Sequence, residues 1–387
     1  MIEPMPKSTD TSPFTKNVPT VLSRRALNRA LLERQLLLRR AEMPVLDALR
    51  HLAGMQAQAP IPPYYGLWAR LAGFRQEELS RLIETRQAVR IAIMRSTIHL
   101  VTAEDALALR PVIQPALDRG LKGGYGKELA GLDTGAVAAA GRALVEEAPL
   151  AYGELGARLQ ERWPDRSPAA LANTVRTLAP LVQVPPRGLW GASGQALHTT
   201  AEAWLGSPPA AASSSGLEEL VLRYLAAFGP ASVKDIQVWS GLTRLSDVIR
   251  RLEPRLRTFL DEKGVLLYDL ADAPLPAEDT PAPPRLLGEF DNMLLSFADR
   301  SRIMDERYRR RIFTVNGIIR AAVLVDGFVC GMWSLERNKQ SAELVIKLFE
   351  PISDADQEAL ADEGRRLLDF AAADCPNREV RFNLSEL

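Results

Sequence analysis

The chain has 387 residues, and its 48 lysines and arginines balance 48 aspartates and glutamates, so the formal net charge is zero. With 47% hydrophobic and 25% charged residues, the composition is that of an ordinary globular protein, which excludes wholesale disorder. Zero net charge also argues against a protein that coats nucleic acid by bulk charge, although a local basic face remains open because the field at a cleft depends on charge placement.

Cysteine and histidine usage argues against a disulfide framework and against a metal centre. The sequence has only two cysteines, Cys330 and Cys375, and its three histidines are widely separated. We therefore expect no metal and no cofactor. No apolar run reaches the roughly 18 residues that span a bilayer, and residues 1–20 lack the apolar core of a signal peptide. We expect a cytoplasmic protein without membrane contact.

The N-terminal part of the chain has the pattern of several helices followed by a small hairpin. Residues 1–20 are rich in Pro, Ser and Thr, which indicates a flexible tail. A basic amphipathic helix is predicted over 23–40, and two β-like runs over 89–94 and 98–101 flank a turn at 95–97. This order predicts a winged helix. The helices predicted between the first helix and the hairpin cover 43–55, 64–71 and 75–86.

The same order of helices and hairpin recurs twice along the chain. The second copy is predicted to contain helices over 151–163 and 168–181, a strand that begins at Val182, and a hairpin tip over 185–188. We therefore predict three tandem winged helices. The third copy is predicted to consist of segments 217–228, 233–240, 244–252, 257–260 and 265–269.

Two linkers and a β-rich region complete the predicted organisation. Segment 207–216 is low-complexity, and segment 272–284 is rich in proline. Beyond them, alternating residues and the hairpin signal Asp326-Gly327 predict a small antiparallel sheet, followed by a helix over 354–373. The predicted fold class is α+β, mainly α, with three tandem winged-helix modules and a C-terminal small sheet or barrel with a helix. The expected boundaries are 1–20 for the tail, 21–147 for the first module with a helical extension, 148–206 and 217–271 for the other two modules, and 285–387 for the C-terminal domain.

No standard catalytic motif occurs, but one pair of amides stands at a helix exit. Walker loops, dinucleotide fingerprints, metal-ligand spacings and nucleophile elbows are all missing from the sequence. Gln56 and Gln58 are two residues apart, so their side chains lie on one side if the segment is extended and apart if it is helical. On spacing alone, a polar helix exit in contact with water is the favoured explanation of the pair.

Several longer segments resemble a bacterial winged-helix family that contains the AlkZ-type and AlkX (YcaQ)-type DNA glycosylases. The resemblance covers nearly the whole chain after the N-terminal tail. The segments that carry it are LAGMQAQAP at 52–60, PYYGLW at 63–68, MRSTIHLV at 94–101, GEFDN at 288–292 and DRSRI at 299–303.

The resemblance implies an enzyme, a reaction and a substrate class. In that family a Gln-hydrophobe-Gln motif is catalytic, which carries over to Gln56 and Gln58. The implied function is a monofunctional DNA glycosylase that hydrolyses the N-glycosidic bond of cationic N7-alkylguanine, in bulky adducts or interstrand crosslinks, for DNA repair or for self-resistance to an alkylating natural product. The implied partner is double-stranded DNA with alkylated purines, bound by a monomer. The alternative is a non-enzymatic winged-helix regulator, which three dissimilar copies in one chain disfavour because regulators usually dimerise on equal half-sites.

The chemistry of the two amides fits this substrate class. A glutamine amide is no general base near neutral pH, but it accepts a hydrogen bond from water and places its carbonyl dipole near developing positive charge on the sugar. Such weak assistance suffices only for an activated leaving group, and N7-alkylguanine carries a positive charge and departs neutral. With no lysine near the motif, we expect hydrolysis without a Schiff base.

The other matched motifs supply candidate DNA contacts, each with a structural alternative. The turn at 95–97 could hold phosphates or be a plain exposed turn, and His99 is as easily a core histidine. Asn292 could contact DNA, while Asp291 could support the site by orienting Arg300. Arginines over 300–311 could bind the backbone or simply face solvent, and Tyr64, Tyr65 and Trp68 could stack on bases or belong to the core. The predicted DNA-binding residues are Arg95, Ser96, Thr97, His99, Asn292, Arg300, Arg302, Arg309 and Arg310.

Overall fold

The computed structural model of the protein describes residues 19–209, 211 and 213–384, so the tail predicted over 1–20 lies almost wholly outside the described residues. Helices account for 45% and strands for 20% of the chain, which confirms the predicted α+β class with a predominance of helix. None of the helices in the described ranges is long and apolar enough to cross a membrane.

The first helix, α1 (Arg24–Arg34), packs between the repeats and the C-terminal region. Ser23 caps it by accepting a hydrogen bond from the Ala26 N–H at 3.0 Å. The helix ends well before residue 40, because the chain turns at Leu36, which has a φ of 57°. Within its buried face, Arg34 pairs with Asp269 at 2.6 Å, so α1 is fixed to the third repeat.

The first repeat has the order helix–strand–helix–helix–strand–strand, which is the order expected of a winged helix. A long helix, α5 (Ala103–Tyr125), follows directly, where a helical extension of the first module was expected, and begins at the N-cap Thr102. The elements of the repeat are α2 (Val45–His51), β2 (Met55–Gln56), α3 (Pro62–Arg70), α4 (Gln76–Glu84), β3 (Ala88–Ala92) and β4 (Ile98–Thr102).

The second repeat has the same order and its own apolar core. Val137 and Val145 of its first helix are buried together with Leu171 and Val175, so this helix packs within the second repeat. The predicted boundary at residue 147 is therefore wrong, because it assigns this helix to the first module. The elements are α6 (Thr134–Glu147), β5 (Leu150–Ala151), α7 (Tyr152–Arg162), α8 (Pro168–Leu178), β6 (Leu181–Val184) and β7 (Leu197–Thr200), followed by α9 (Ala201–Leu205).

The third repeat begins earlier than predicted, because its first helix includes the end of the segment expected to be a linker. Ala231 bridges to Tyr268 in the position where the other repeats have their first short strand. Its hairpin is extended by β1 (Thr20–Leu22), which pairs in parallel with the first strand of the hairpin. The elements are α10 (Ser214–Phe228), α11 (Val233–Ser240), α12 (Ser246–Leu252), β8 (Leu256–Asp261) and β9 (Leu266–Leu270).

The hairpins of the first two repeats form one six-stranded sheet with the order β2-β4-β3-β6-β7-β5. The junction is an antiparallel pairing of β3 with β6, in which Arg90 lies opposite Gln183 and Ile91 lies opposite Val182. These two repeats are therefore joined by backbone hydrogen bonds, which no sequence pattern indicated.

The C-terminal region is an open five-stranded sheet with the order β10-β11-β12-β13-β14, not a barrel. The hairpin predicted at Asp326-Gly327 is present, with φ values of 48° and 80° that suit a primed turn. The three strands expected to form an antiparallel sheet do so, whereas the last strand is parallel to its neighbour, and α15 (Asp354–Ala371) supplies the crossover that parallel pairing requires. The elements are β10 (Arg285–Leu287), α13 (Asn292–Leu295), α14 (Arg309–Ile312), β11 (Ala322–Val325), β12 (Phe328–Arg337), β13 (Ser341–Leu348), α15 (Asp354–Ala371) and β14 (Asn377–Leu384).

Candidate active site

Gln56 and Gln58 lie on an extended edge of the six-stranded sheet. β2 pairs antiparallel with β4, and Gln56 is directly opposite His99. Beyond the strand, the Ala57 N–H still donates to the Ile98 carbonyl oxygen at 2.8 Å. β2 ends at Gln56, and Gln58 lies in the bend that follows, with the buried Ala57 between them, so the pair does not stand at a helix exit.

The two glutamines differ in burial and in the atoms they leave available. Gln56 is only 7% exposed, and its Oε1 accepts hydrogen bonds from Arg95 Nη2 at 2.8 Å and from Thr97 Oγ1 at 3.4 Å. Because a guanidinium group only donates, this contact fixes the amide orientation, with the Gln56 nitrogen directed away from Arg95. Gln58 is exposed, and its Oε1 accepts one hydrogen bond, from the Ile98 N–H at 3.2 Å, so a second lone pair stays available.

The turn that contacts these amides is strained and is held from two sides. Arg95 and Ser96 have φ values of 55° and 59°, a left-handed conformation that costs non-glycine residues roughly 1–2 kcal/mol each. Arg95 Nη1 donates to the Trp239 carbonyl oxygen of the third repeat. From the second repeat, Arg176 Nη2 donates to the Ser96 carbonyl oxygen at 2.6 Å. All three repeats therefore meet at this turn.

Gly241, which follows Trp239 by two residues, lets the third repeat approach the turn closely. It has a φ of 77°, and a Cβ atom there would lie 3.1 Å from the backbone nitrogen of Arg95. A side chain at this position would therefore push against the turn that contacts Gln56.

His99 is buried, which does not suit the direct DNA contact predicted for it. It is 2% exposed, and its Nδ1 lies 3.0 Å from the Thr97 carbonyl oxygen while its Nε2 lies 3.4 Å from Arg95 Nη2. Burial, together with the charge of Arg95, lowers the pKa of His99 to about 3. The ring is therefore neutral at physiological pH, with Nδ1 donating and Nε2 accepting.

A row of arginines leads from the site to the surface. Burial and the charge of Arg300 lower the pKa of Arg95 to about 10, and burial and the charge of Arg309 lower the pKa of Arg300, so the three cations are electrostatic neighbours. Arg300 is half-buried, with its Nε donating to Leu294 and its guanidinium 4.8 Å from the Phe313 ring centroid. Arg309 and Arg310 are exposed to solvent. We call Arg95, Arg300, Arg309 and Arg310 the basic row.

Two residues predicted to bind DNA lie inside the protein instead. Arg302 is 7% exposed, donates to the Pro230 carbonyl oxygen at 2.7 Å and stacks over Phe297. Asn292 is 6% exposed, and its side-chain amide donates to the Gly54 carbonyl oxygen at 2.9 Å. Their predicted role was wrong because burial of the segment after β10 is not visible in a local sequence pattern.

Asp291 pairs with Arg70 and not, as expected, with Arg300. Its two oxygens accept from the Arg70 guanidinium at 2.7 and 2.8 Å, and both side chains are at most 1% exposed. Asp291 also caps α13 by accepting from the Met293 N–H at 2.9 Å. This pair fixes the segment that carries Asn292, and therefore the loop before Gln56.

Sequence reasoning missed Arg70, Arg176 and Trp239, because their contacts with the site join distant parts of the chain. The aromatic residues of the motif are structural: Tyr64 is fully buried and donates to the Gly188 carbonyl oxygen at 2.8 Å, and Trp68 is 7% exposed. A surface pocket of about 680 Å³ beside Trp68 contains none of the predicted site residues. Across the part of the chain that the structure describes, no group of three or more ligating side chains could hold a metal ion.

Comparison with known proteins finds a matching family and matching solved structures. A family model described as DNA glycosylase AlkZ-like matches residues 49–370. The solved structure of Streptomyces sahachiroi DNA glycosylase AlkZ has a TM-score of 0.79 and 18% sequence identity, and the match covers 94% of this chain and 100% of that chain. At this identity the structural likeness supports the fold alone. No curated protein matches the chain.

Proposed function

Since the chain belongs to the AlkZ-like DNA glycosylase family, we propose that it hydrolyses the N-glycosidic bond of N7-alkylguanine in duplex DNA, with Gln56 and Gln58 as its catalytic residues. The observation that carries this proposal is that both carboxamides hydrogen-bond to residues 95–98, at a strained turn where all three repeats meet. The family supports the class of enzyme, and the site's own chemistry supports the choice of base.

The described neighbours of the two amides include no proton acceptor suited to deprotonating water. The side chains that hydrogen-bond to Gln56 are Arg95 and Thr97, and Gln58 bonds to a backbone N–H. The neutral His99 already directs its acceptor nitrogen toward Arg95. Without a strong base, the reaction depends on a leaving group that is already activated.

N7-alkylguanine supplies that activation through its own charge. Water attacks C1′ of the deoxyribose, the C1′–N9 bond breaks, and the electron pair moves to N9, so the cationic base departs neutral. The water gives one proton to solvent, and an abasic site with an intact backbone remains. An undamaged guanine would leave as an anion, which these amides could not stabilise enough.

The two amides are assigned different parts of this step. Gln58 keeps a free lone pair toward solvent, so it accepts a hydrogen bond from the attacking water and faces the positive charge that develops at C1′. Gln56 has its oxygen fixed by Arg95, so its N–H groups orient the same water. Neither amide stores a proton, which is consistent with hydrolysis that needs no Schiff base.

The basic row beyond Arg95 would hold the DNA backbone beside this site. Ser96 and Thr97 are half-buried in the turn, and Arg300, Arg309 and Arg310 continue outward, so we assign these residues to phosphate contacts. Arg309 forms an ion pair with Glu306 at 3.0 Å, whereas Arg310 makes no ion pair with a described residue. We propose a monomer that acts on bulky N7 adducts or crosslinks, in general repair or in self-resistance to an alkylating natural product.

The experiment that tests the function offers the purified protein duplexes with one N7-methylguanine, one nitrogen-mustard crosslink or undamaged guanine. Heat or alkali then cleaves abasic sites and reveals them as strand breaks. We expect breaks at the alkylated guanine only, and none before heating. Retention of every alkylated base, together with sequence-specific binding to promoter DNA, would instead indicate a regulator.

A further inference from the structure

Arg90 contacts the residue between the two glutamines. It lies on β3, and its Nη2 donates to the Ala57 carbonyl oxygen at 2.7 Å. Arg90 is 2% exposed, so this hydrogen bond is made away from solvent. A charged donor makes a stronger and shorter bond than a neutral one, which suits it to fixing a backbone segment.

Burial of the Arg90 side chain lowers the stability of the folded protein. Its Nε and Nη1 have no hydrogen-bond partner among the described residues. Burial, and then the charge of Arg187, lower its pKa to about 10, so it remains protonated at neutral pH. A buried charge without a matching anion is usually replaceable by an apolar side chain with a gain in stability. The presence of Arg90 therefore indicates a role other than stabilising the sheet.

The hairpin of the second repeat packs directly on the Arg90 side chain. Gly188 has a φ of 107°, and a Cβ atom there would lie 3.1 Å from Arg90 Cδ. Its carbonyl oxygen accepts the hydrogen bond from Tyr64, so the hairpin tip is anchored to the first repeat. On the sheet, Arg90 lies opposite Gln183 of β6.

We propose that Arg90, held by the hairpin tip at Gly188, is a positioning residue that fixes the backbone between Gln56 and Gln58 and so aligns both amides. The alignment matters for catalysis only if the proposed glycosylase function holds. The contact itself gives the second repeat a role in the site. Its hairpin tip holds Arg90 against the segment that carries the glutamines, while its Arg176 holds the turn at 95–97.

The test compares two matched pairs of variants in the full-length protein. Arg90→Met is paired with Arg110→Met, because Arg110 is 3% exposed, has a pKa lowered by burial to about 10, and donates to the Thr177 carbonyl oxygen, remote in sequence from the glutamines. Gly188→Ala is paired with Gly191→Ala, because Gly191 also has a positive φ, 70°, but nothing lies within 4 Å of its added Cβ.

Two readouts are measured on each variant. The first is hydrogen exchange of the backbone amides over residues 55–58, which needs no substrate. The second is the single-turnover excision rate of N7-methylguanine at saturating enzyme, measured alongside DNA affinity. We expect Arg90→Met and Gly188→Ala to speed the exchange and to slow excision about tenfold or more at unchanged affinity, with the control variants near wild type. Arg90→Lys, which keeps a charged donor, should recover part of the rate.

The outcomes distinguish a failure of this proposal from a failure of the proposed glycosylase function. If wild-type protein excises nothing, the function fails, and the exchange data still decide whether Arg90 holds the segment. Equal exchange over 55–58 in Arg90→Met and Arg110→Met overturns the proposal, and so does an equal loss of excision in both variants of either pair.

Discussion

The amide oxygen of Gln56 accepts a hydrogen bond from Arg95 at 2.8 Å, and the backbone of Arg95 has a left-handed conformation with a φ of 55°. The same guanidinium donates to Trp239 and lies beside His99. A cation predicted to hold phosphate therefore orients the more buried glutamine and connects it to the third repeat.

We predict that Arg95→Lys slows excision by about 10²-fold while changing DNA affinity little. A lysine keeps the charge, but one ammonium cannot reproduce the forked contacts with Gln56 and Trp239, and a misplacement of about 1 Å can cost that much rate. Single-turnover excision and DNA binding are measured together. Arg309→Lys, at the exposed part of the basic row, is the control that should retain the wild-type rate. An Arg95→Lys rate equal to that of the control would contradict the positioning role.

We predict that Asp291→Asn lowers the free energy of unfolding by about 3–5 kcal/mol, because it leaves the charge of Arg70 buried without its partner. Urea unfolding of both proteins measures this loss. Asp247→Asn is the matched control, since the Asp247–Arg250 pair has the same kind of contact at 3.0 Å but is about 70% exposed on both sides. The control should stay within about 1 kcal/mol of wild type. Similar losses for the two variants would show that burial does not matter at Asp291.

We predict that Arg310→Gln weakens DNA binding and reduces the slope of log affinity against log salt by about 1, which is the expected effect of losing one phosphate contact. Fluorescence anisotropy over a series of salt concentrations measures the slope. Arg365→Gln, a surface change on α15 outside the basic row, should leave the slope unaltered. Excision at saturating enzyme should be unchanged in both variants, because neither residue contacts Gln56 or Gln58. An unchanged slope in Arg310→Gln would remove it from the proposed DNA contacts.

We predict an excision rate that is constant between about pH 4 and pH 9. The pKa of His99 is lowered to about 3, so the ring stays neutral until the pH falls that far, and Arg95, at about 10, stays charged until the pH rises that far. The glutamines themselves do not ionise in this range. Single-turnover rates across this interval test the prediction. A step near pH 6.5, the ordinary pKa of histidine, would indicate a titrating base in the site.

The sequence predicted the repeats better than it predicted their assembly. Helix and strand periods follow local patterning, so the hairpin turn at residues 95–97 and the Asp326-Gly327 turn were found correctly. The joined sheet of the first two repeats was not found, because the pairing of Arg90 with Gln183 connects positions that no local pattern relates. For the same reason, the sequence assigned α6 to the wrong repeat.

The candidate site shows a similar division. The position of Gln56 at the end of β2, with Gln58 in the bend beyond it, was not predicted, because the sequence pattern indicated a helix over 43–55. Burial separates the arginines of one basic segment, since Arg302 lies inside while Arg309 and Arg310 face solvent. The sequence does not distinguish the buried from the exposed arginines, because only tertiary packing decides which charge reaches the surface.

The account depends most directly on whether the two carboxamides, and no stronger acid or base, break the bond. The decisive measurement is the single-turnover excision of N7-methylguanine and of undamaged guanine by wild-type protein and by the variant with both Gln56→Ala and Gln58→Ala. We predict that wild type releases only the alkylated base, and that the double variant releases neither while binding DNA within a few-fold of wild type. Release of undamaged guanine by wild type, or full activity in the double variant, would contradict the account.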